Sequence, residues 1–420
     1  MKFQASKGTY DVMPDQVHIW QHIEAVIREQ ARLYGFKEIR TPVFEDTALF
    51  VKGTGDTTDI VQKEMYTFTD KGNRSITLKP EGTPPVIRAM LEHNLLKENP
   101  LAKVYYIAPM FRYERPQAGR MRQHTQFGAE IVGSATPQAD VEVMALLFFT
   151  LQELGLSELK LRLNTLGCPK CRPAYREKLV EYLKPELSGL CEFCNERFLR
   201  NPLRVLDCKV DQDKFDDAPE RGQFLCPECR DHFQAVQNDL TAINIPYELD
   251  KKLVRGLDYY TRTAFEVVSR HLGAQDALGG GGRYDGLVEE LGGEPTPGVG
   301  FGSGLERYIL ALKNQGVNLP LEKRPDVYIA TLGDEAVKKG SLLCTQLRQK
   351  GLICEQELLG RSLKAQMREA GRLNARYVVL IGEDEIKKGV VTLKDMDGHS
   401  QTEVLFDELV INVLKYCQCE

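Results

Sequence analysis

The sequence has no uninterrupted apolar run of about eighteen residues, the length that would cross a membrane. Its first residues are amphipathic and dotted with charges, unlike a secretory signal. A basic excess is also lacking, because 55 Lys+Arg stand against 60 Asp+Glu for a net charge of −5. Bulk electrostatics therefore does not predict nucleic-acid binding, and any RNA contact must be local. We expect a soluble, cytoplasmic protein with no membrane partner.

Several common catalytic motifs are absent as well. The sequence contains no Gly-x-Ser-x-Gly, no P-loop and no His-Glu-x-x-His. This absence favours chemistry in which the protein positions its reactants and neutralises developing charge. What is present is 420 residues of ordinary globular composition, 42% hydrophobic, which is enough for two or three domains.

Changes in pattern along the chain predict its organisation. Apolar residues at helical spacing predict a helix over 15–34, which Gly35 ends. A composition shift marks an inserted subdomain at about 167–250. After a charged, proline-containing linker, strands alternate with helices, which is typical of a compact α/β domain over 326–420. Residues 1–325 form the remaining, larger domain in this division.

A predicted antiparallel hairpin carries the first candidate ligand groups. Strands are expected over 103–114 and 122–132, joined by a basic loop. Residues two apart on a strand share a face, which groups Arg112 with Glu114 and Gln126 with Glu130. A turn about residues 117–119 would place Arg112 opposite Gln126. Such a face suits a ligand with phosphate and amine groups, and a solvated face with ion pairs is the alternative.

Two further segments carry arginines. Glycines over 298–304 precede a helix whose first turn would hold Arg307, either as an anion site or as a surface arginine. Arg255 precedes a strand that begins with two tyrosines. Because strand residues alternate, Tyr259 and Tyr260 are predicted to face opposite sides, so that at most one lines a given pocket.

Two glycine- and proline-containing segments complete the set. Four consecutive glycines at 279–282 are predicted to exclude a strand or helix interior. They indicate either a mobile loop or backbone packed closely around a small ligand. A proline pair favours a helix start at 79–88, where Glu81 and Thr83 would lie. By itself this last arrangement is only a cap.

Taken in order, these segments resemble the signatures of one enzyme family. FKEIRTPVFE, MFRYERPQAGRMRQHTQFGAE and GVGFGSGLERYIL resemble the three motifs of class II aminoacyl-tRNA synthetases. LVRGLDYYTRTAFE and ALGGGGRYDGL resemble two signatures specific to histidine enzymes. Over essentially its whole length the sequence is similar to bacterial histidyl-tRNA synthetases.

The resemblance implies a fold and an activity. The fold would be an α+β catalytic domain with an antiparallel sheet flanked by helices, a small inserted helical subdomain and a C-terminal α/β anticodon-binding domain. The expected protein is a homodimer whose interface includes the first motif. It would form histidyl-adenylate and diphosphate from L-histidine and ATP, with Mg²⁺, and pass the histidyl group to tRNA(His).

The resemblance also implies residue roles. Arg112 and Arg307 would hold the phosphates of ATP with Glu114 beside them, and Arg255 would be the catalytic arginine that acts with Arg112 at the α-phosphate. The histidine-binding residues would be Glu81, Thr83, Gln126, Glu130, Tyr259, Tyr260 and Tyr284. Loop residues that could meet the tRNA acceptor stem are Arg115, Gln117, Arg120 and Arg122.

Seven of the eleven cysteines fall between residues 168 and 229. Each Cys-x-x-Cys pair has the spacing of half a structural Zn²⁺ site. The alternative is a set of thiols at helix starts in a subdomain that folds without metal. The pattern does not select four ligands among the pairs Cys168/Cys171, Cys191/Cys194 and Cys226/Cys229, with Cys208 as a seventh candidate.

A rival interpretation is a synthetase-like regulatory subunit that binds histidine without charging tRNA. Such a protein is expected to lack the C-terminal domain and to have degraded motifs. Arg112, Arg255, Arg307 and the terminal domain are all present here, which favours the enzyme.

Overall fold

The computed structural model describes residues 3–56, 58–117, 119–208, 210–273 and 276–418. The chain forms two compact units, Met1–Pro320 and Leu321–Glu420. The division between them falls within the linker 319–325. In the described residues no helix is both long enough and apolar enough to span a membrane.

The first unit contains ten α-helices and eleven strands among its described residues. The helices are α1 Pro14–Leu33, α2 Thr47–Thr54, α3 Thr83–Glu92, α4 Leu95–Glu98, α5 Pro137–Glu153, α6 Arg172–Leu183, α7 Glu192–Arg200, α8 Pro227–Ala242, α9 Leu287–Glu290 and α10 Leu305–Gln315. The strands are β1 Lys37–Glu38, β2 Phe44–Asp46, β3 Tyr66–Thr69, β4 Ser75–Leu78, β5 Ala102–Phe111, β6 Gln123–Val132, β7 Leu159–Thr165, β8 Tyr247–Leu249, β9 Thr261–Ser269, β10 Ala277–Arg283 and β11 Gly298–Gly304.

Eight of these strands form one large sheet in the order β1-β5-β6-β11-β10-β9-β7-β8. The two edge pairs, β1 with β5 and β7 with β8, are parallel, and every other neighbouring pair is antiparallel. A smaller antiparallel sheet has the order β2-β4-β3. The predicted fold class, an antiparallel sheet flanked by helices with a second α/β unit, is confirmed.

The two faces of the large sheet have different chemistry. Odd-numbered residues of the central strands, such as Phe127, Phe301 and Phe265, pack with helices α1, α5, α8 and α10 in the main hydrophobic core. The side chains of a strand alternate between faces, so the even-numbered residues face the other way. That second face carries Glu130, Gln126 and several glycines, and it forms the candidate site.

The four consecutive glycines are a correction to the sequence prediction. Residues 277–283 are not a loop but strand β10, paired on one side with β9 and on the other with β11. Hydrogen bonds to a neighbouring strand on each side hold the glycines in the extended conformation, for which glycine has no preference by itself. A Cβ added at Gly281 would collide with the carbonyl oxygen of Gly300, and one at Gly279 with the Ser303 side chain. The strands approach closely because these side chains are missing.

The register of the β5–β6 hairpin is a second correction. Gln126 pairs with Ala108, and the amide of Arg112 donates to the carbonyl oxygen of Arg122 at 2.8 Å. Arg112 is therefore opposite Arg122 and not opposite Gln126. Strand β5 ends at Phe111, and an eleven-residue connection leads to β6. In the observed register, the two residues of each pair lie at equal distances along the chain from residue 117. Even-numbered residues therefore pair with even-numbered residues, and positions 112 and 126 lie on the same side of the hairpin.

The predicted insertion of residues 167–250 contains α6, α7 and several 3₁₀ turns around a small core of its own. Its C-terminal part belongs to the larger structure. Val236 and Leu240 of α8 join the main core, and β8 pairs in parallel with β7. Only part of the segment packs separately from the sheet.

The second unit is a five-stranded sheet with helices on both faces. Its strand order is β13-β12-β14-β15-β16, with parallel pairing among the first three strands. Odd-numbered residues such as Val327 and Val379 pack in one core, and even-numbered Tyr328 and Val378 in a second. The elements are β12 Val327–Thr331, α11 Asp334–Gln349, β13 Cys354–Gln356, α12 Leu363–Arg372, β14 Tyr377–Ile381, α13 Glu383–Lys388, β15 Val390–Asp395, β16 Ser400–Leu405 and α14 Leu409–Gln418.

Candidate active site

Glu81 is a buried carboxyl just before helix α3. Its Oε1 accepts a hydrogen bond from Thr54 Oγ1 at 2.9 Å, and its Oε2 accepts one from the Tyr259 hydroxyl at 3.0 Å. Burial raises the pKa of Glu81 to about 7 despite these hydrogen bonds and the nearby Arg112 guanidinium. A buried carboxyl held by hydroxyl donors is a suitable acceptor for a ligand ammonium group.

Glu130 is a second buried carboxyl, on the even-numbered face of β6. Thr83 Oγ1 donates to its Oε1 at 2.7 Å, and the Tyr284 hydroxyl donates to its Oε2 at 2.5 Å. Burial, with a smaller contribution from the charge of Glu81, raises the pKa of Glu130 to about 8 despite the two hydrogen bonds. Two carboxyls with strongly shifted pKa values in one pocket are typical of a functional site.

The tyrosines that surround these carboxyls correct another prediction. Tyr259 and Tyr260 both lie in this pocket, with ring centroids 4.6 Å apart, and Tyr259 also contacts Tyr284 at 5.7 Å. The expected alternation fails because β9 begins only at Thr261, so neither tyrosine has to follow the strand pleat. Tyr106 packs in the same cluster and donates to Gln126 Oε1 at 3.2 Å.

Five glycines leave the sheet surface beside these groups without side chains. We name this surface the glycine floor: Gly128, Gly280, Gly282, Gly300 and Gly302. On adjacent strands Gly302 pairs with both Gly128 and Gly280, and Gly300 pairs with Glu130 and Gly282. The functional side chains lie over this bare backbone.

Functional side chains occupy the space where the missing Cβ atoms would be. A Cβ at Gly300 would collide with the Glu130 carboxyl, and one at Gly302 would lie 2.6 Å from Gln126 Nε2. One at Gly280 would lie 2.7 Å from an Nη atom of Arg255, and one at Gly282 would lie 3.0 Å from the Tyr260 ring. The glycines therefore bring Glu130, Gln126, Tyr260 and Arg255 against a single stretch of sheet.

Arg255 is held over the glycine floor by an ion pair. Its Nη1 atom lies 3.0 Å from Glu266 Oε1, and its guanidinium carbon lies 5.9 Å from the centre of the Tyr260 ring. Glu266 pairs with Gly280 across the sheet. The segment before β9 thus positions a guanidinium at the centre of the site.

Arg112 and Arg307 are each bonded to a backbone carbonyl oxygen next to elements of the site. Arg112 Nε donates to the carbonyl oxygen of Pro80 at 2.8 Å, which ties the start of the hairpin connection to the Glu81 segment. Arg307, in the first turn of α10, donates from Nε to the carbonyl oxygen of Ala277 at 2.5 Å. Burial lowers the pKa of Arg307, and the nearby Arg120 guanidinium lowers it further. An anion between these guanidinium groups would relieve that repulsion.

The hairpin connection holds the remaining sequence-predicted residues. Arg115 and Gln117 are exposed, and Arg120 Nη1 lies 3.7 Å from Glu114 Oε2. Arg122 is engaged with protein groups, because its guanidinium carbon lies 3.8 Å from the centre of the Tyr113 ring and its Nε donates to the Glu114 carbonyl oxygen at 3.3 Å. Ala118, within the predicted turn, lies outside the described residues.

Comparison with known families identifies the family of the chain. A family model described as "Histidyl-tRNA synthetase" matches residues 8–308, nearly three quarters of the chain. The chain belongs to the histidyl-tRNA synthetase family. A second model, described as "Anticodon binding domain", matches residues 326–416.

Individual relatives of the family agree over nearly the full length. A histidine--tRNA ligase of Desulforamulus reducens is 51% identical over 407 residues, covering 96% of this chain and 97% of the relative. One of Caldanaerobacter subterraneus is 50% identical, covering 97% of this chain and 99% of the relative. A crystal structure of apo Staphylococcus aureus histidyl-tRNA synthetase is 37% identical with a TM-score of 0.83, covering 98% of this chain and 100% of that one.

These relatives do not support the regulatory-subunit alternative. The full-length matches at about half identity are named as ligases, and the C-terminal part matches an anticodon-binding model. A Bacillus halodurans protein named as an ATP phosphoribosyltransferase regulatory subunit/histidyl-tRNA synthetase is 21% identical with a TM-score of 0.66. That likeness concerns the fold alone.

The structure brings some residues of the family signatures together at one site and leaves others apart. The residues that meet around the glycine floor are Glu81, Thr83, Gln126, Glu130, Tyr259, Tyr260, Tyr284 and Arg255. Arg115 and Gln117 are exposed on the hairpin connection. The cysteine pairs form two separate groups. Cys168 and Cys171 lie next to Cys226 and Cys229, whereas Cys191 and Cys194 lie next to Cys208 and Asp211.

The sequence prediction omitted several residues of the site. Thr54 and Tyr106 bind the side chains of Glu81 and Gln126, but no local pattern links them to those partners. Glu266 was predictable from strand alternation, because it is an even-numbered residue of β9 and therefore lies on the site face. Asp211 follows Cys208 at the same spacing as the cysteine pairs, which was a signal for it.

Proposed function

We propose that this protein activates L-histidine with ATP and loads it onto tRNA(His). The histidine carboxylate attacks the α-phosphorus, the bond from that phosphorus to the β-phosphate bridging oxygen breaks, and diphosphate leaves. A hydroxyl of the terminal adenosine of the tRNA then attacks the histidyl carbonyl carbon and AMP leaves. The observation that carries the proposal is the pair of buried carboxyls beside an arginine-bearing glycine floor.

Glu130 is proposed to bind the imidazole, with Tyr260 and Tyr284 closing the pocket. Its buried carboxyl, already bonded to Thr83 and Tyr284, would accept a ring N–H. An amino acid without that donor would leave the buried carboxyl without its partner and lose affinity. Glu81, Gln126 and Thr83 are proposed to hold the α-amino group, and Tyr259 positions Glu81 through its 3.0 Å hydrogen bond.

Three guanidinium groups are proposed to neutralise the phosphates. Arg255, held by Glu266 against Gly280, would stabilise charge on the α-phosphate together with Arg112. Arg307 would hold the γ-phosphate end, with Glu114 also at the nucleotide. Preorganised charge of this kind lowers the barrier because the site does not reorganise during the reaction.

Mg²⁺ is proposed to accompany ATP. This ion prefers carboxylate and phosphate oxygens and usually keeps several waters. The carboxylates of Glu114 and Glu266 are oxygen ligands of the required kind on the nucleotide side of the site. When bound, the ion would offset the negative charge of the phosphates.

The tRNA is proposed to use two surfaces. Exposed Arg115 and Gln117, with Arg120 and Arg122 behind them, would meet the acceptor stem through its backbone and base edges. The second unit would bind the anticodon, supported by its match to an anticodon-binding model. The net negative charge of the chain requires that both contacts be local.

The active form is proposed to be a cytoplasmic homodimer. Phe44 and Phe68 on the small β2-β4-β3 sheet, and Val43 directly before it, are large exposed hydrophobics, and Phe44 is 52% exposed. This apolar surface includes the end of the first motif and suits a second copy of the chain. Light scattering should give twice the 47.5 kDa of one chain, whereas Phe44→Glu should give one chain mass. Leu199→Glu, on an exposed site of α7, is the control.

The activity is tested by histidine-dependent exchange of labelled diphosphate into ATP. The proposal predicts exchange with L-histidine and none with the other proteinogenic amino acids. Charging of tRNA(His) transcript then tests the second step. Folded protein that binds histidine but exchanges no diphosphate would overturn the proposed enzyme and leave a binding role.

A further inference from the structure

The cysteine-rich part of the first unit brings seven thiols and one carboxylate into two groups. The first group is Cys168, Cys171, Cys226 and Cys229, and the second is Cys191, Cys194, Cys208 and Asp211. Within each group the four ligand atoms all lie within 4.8 Å of one another. The proposed aminoacylation chemistry uses none of these eight side chains.

The sulfur separations in the first group fit a shared metal ion. Cys168 Sγ lies 3.6 Å from Cys171 Sγ and 3.9 Å from Cys226 Sγ. Four thiolates at about 2.3 Å from a tetrahedral Zn²⁺ would be about 3.8 Å apart. A disulfide would instead require a separation of about 2.05 Å, and all four cysteines are free.

The second group has a carboxylate in place of a fourth thiol. Cys191 Sγ lies 3.7 Å from Cys208 Sγ, and Cys208 Sγ lies 3.8 Å from Asp211 Oδ2. Asp211 follows Cys208 by three residues, the same spacing as in each Cys-x-x-Cys pair. Lys214 Nζ lies 2.9 Å from the other oxygen, Oδ1, which orients the carboxylate. Carboxylate oxygen is an accepted Zn²⁺ ligand.

Backbone geometry around the thiols supports metal binding independently of the separations. The amide of Cys226 donates to Cys171 Sγ at 3.2 Å, an interaction that stabilises a thiolate. Cys171 N donates to Cys168 O at 2.9 Å, and Cys194 N donates to Cys191 O at 3.0 Å, so both pairs form tight turns at helix starts. These turns aim both sulfurs of a pair at one point.

We propose that the chain binds two structural Zn²⁺ ions, one held by four cysteines and the other by three cysteines and Asp211. Soft thiolates in tetrahedral groups select Zn²⁺ over harder divalent ions. All four protein ligands are present in each group, which is typical of a closed structural site. Neither ion takes part in adenylate formation, so the proposal does not depend on the proposed function.

Each site is tied to the walls of the candidate active site. Arg172, which follows Cys171, donates to the carbonyl oxygen of Tyr260. The amide of Arg262 donates to the carbonyl oxygen of Gly167 at 3.0 Å, directly before Cys168. The first ion would therefore fix the segment that carries Tyr259 and Tyr260.

The second site lies in a subdomain with its own links to the same walls. Arg197 and Arg204 donate to Asp59 Oδ2 at 3.1 and 2.9 Å. Asn201 Nδ2 donates to Asp258 Oδ1 at 3.1 Å, next to Tyr259. The second ion would hold the frame of α7 and the following 3₁₀ turn from which these bonds originate.

The test is the metal content of the purified full-length protein. After dialysis against a weak chelator, elemental analysis should give two zinc atoms per chain. Cys226→Ser and Cys208→Ser should each give one, whereas Cys354→Ser, which removes a buried cysteine outside both groups, should keep two. One zinc or less per folded wild-type chain, or iron with visible absorption in its place, would overturn the proposal.

Two further measurements keep the ligand assignment testable if a cysteine variant fails to fold. Titration of native wild-type protein with an organomercurial should release two zinc ions per chain, detected with a chromogenic chelator. Asp211→Cys should retain two ions, and Asp211→Ala should lose the second. Equal zinc content and equal release in Asp211→Ala would show that this carboxylate is not a ligand.

Discussion

The Tyr284 hydroxyl donates a 2.5 Å hydrogen bond to Glu130 Oε2, although the two residues are 154 positions apart. Burial and the charge of Glu130 raise the pKa of Tyr284 well above its ordinary value, so the phenol keeps its proton and stays a donor. Thr83 donates to the other carboxyl oxygen. Burial nevertheless raises the pKa of Glu130 to about 8, so without ligand this carboxyl is mostly protonated at neutral pH.

Histidine binding should therefore release protons. At pH 7.5 the free imidazole is mostly neutral, and a ring N–H donated to Glu130 would favour the ionised carboxylate. With pKa values of about 8 for Glu130 and about 7 for Glu81, release can reach about one proton per site. Calorimetry in buffers of different ionisation enthalpy measures it. Glu130→Gln should reduce the release to the smaller share from Glu81, whereas the exposed-site control Glu153→Gln should not change it.

The same raised pKa values set the pH dependence of stability. The folded protein retains protons that the unfolded chain releases above pH 4.5, so these two carboxyls contribute stability at low pH. That contribution is lost as the pH rises through about 7 and 8. The slope of the unfolding free energy against pH should be less negative between about pH 4.5 and 8 in Glu130→Gln than in wild type. Equal slopes would contradict the shifted pKa.

Arg255→Ala should lose turnover with little loss of histidine binding. Removing one preorganised charge-stabilising group typically costs 10²–10³-fold in rate, and we expect roughly that fall in diphosphate exchange. Arg255 lies against Gly280 and Glu266, whereas histidine is assigned to Glu130 and Glu81. Calorimetry should give a histidine Kd within about threefold of wild type. Exposed Arg270→Ala is the control, and unchanged turnover in Arg255→Ala would mean that its role is misassigned.

The positions of the elements were largely predictable, but the contacts that complete the site were not. Apolar spacing predicts helix 15–34, and the structure has α1 at Pro14–Leu33. Strand parity correctly grouped Gln126 with Glu130. The alternation of side chains along a strand does not show where the turn of a hairpin is centred. For this reason the predicted pairing of Arg112 with Gln126 was wrong.

The glycine strand shows a different limit. Four glycines have no intrinsic strand preference, and β10 forms because β9 and β11 supply hydrogen bonds on both sides. Contacts between distant segments were equally hidden. The Thr54–Glu81 bond spans 27 positions, and the grouping of Cys168 with Cys226 spans 58. Spacing identifies half of a metal site but not which halves meet.

Gly302→Ala should impair substrate binding more than folding. Its Cβ would lie 2.6 Å from Gln126 Nε2, so that side chain must move away from the glycine floor. Overpacking of this kind typically costs about 1–3 kcal/mol, and we expect the KM for histidine to rise about tenfold or more. Gly189→Ala, where no atom lies within 4 Å of the added Cβ, is the matched control. A wild-type KM in Gly302→Ala would argue against the assigned substrate position.

Asp140→Ala should destabilise the first unit by about 3 kcal/mol or more, because it removes a fully buried carboxylate from the buried Arg283 guanidinium and leaves its pair with the less buried Asp285. Arg283 Nε donates to Asp140 Oδ2 at 3.1 Å, and both side chains are fully buried. Urea unfolding followed by the fluorescence of Trp20, the single tryptophan, reports on this unit. Asp231→Ala, at an exposed position of α8, should cost about 0.5 kcal/mol or less. A similarly small cost for Asp140→Ala would contradict the structural role of the pair.

The most direct measurement is a structure of the protein with ATP and histidinol, which lacks the carboxylate needed to react. The account predicts the imidazole N–H on the Glu130 carboxylate, the α-phosphate beside Arg112 and Arg255, and the terminal phosphate at Arg307, all over the glycine floor. A nucleotide or an imidazole bound away from that surface, with the three arginines contacting no phosphate, would contradict it.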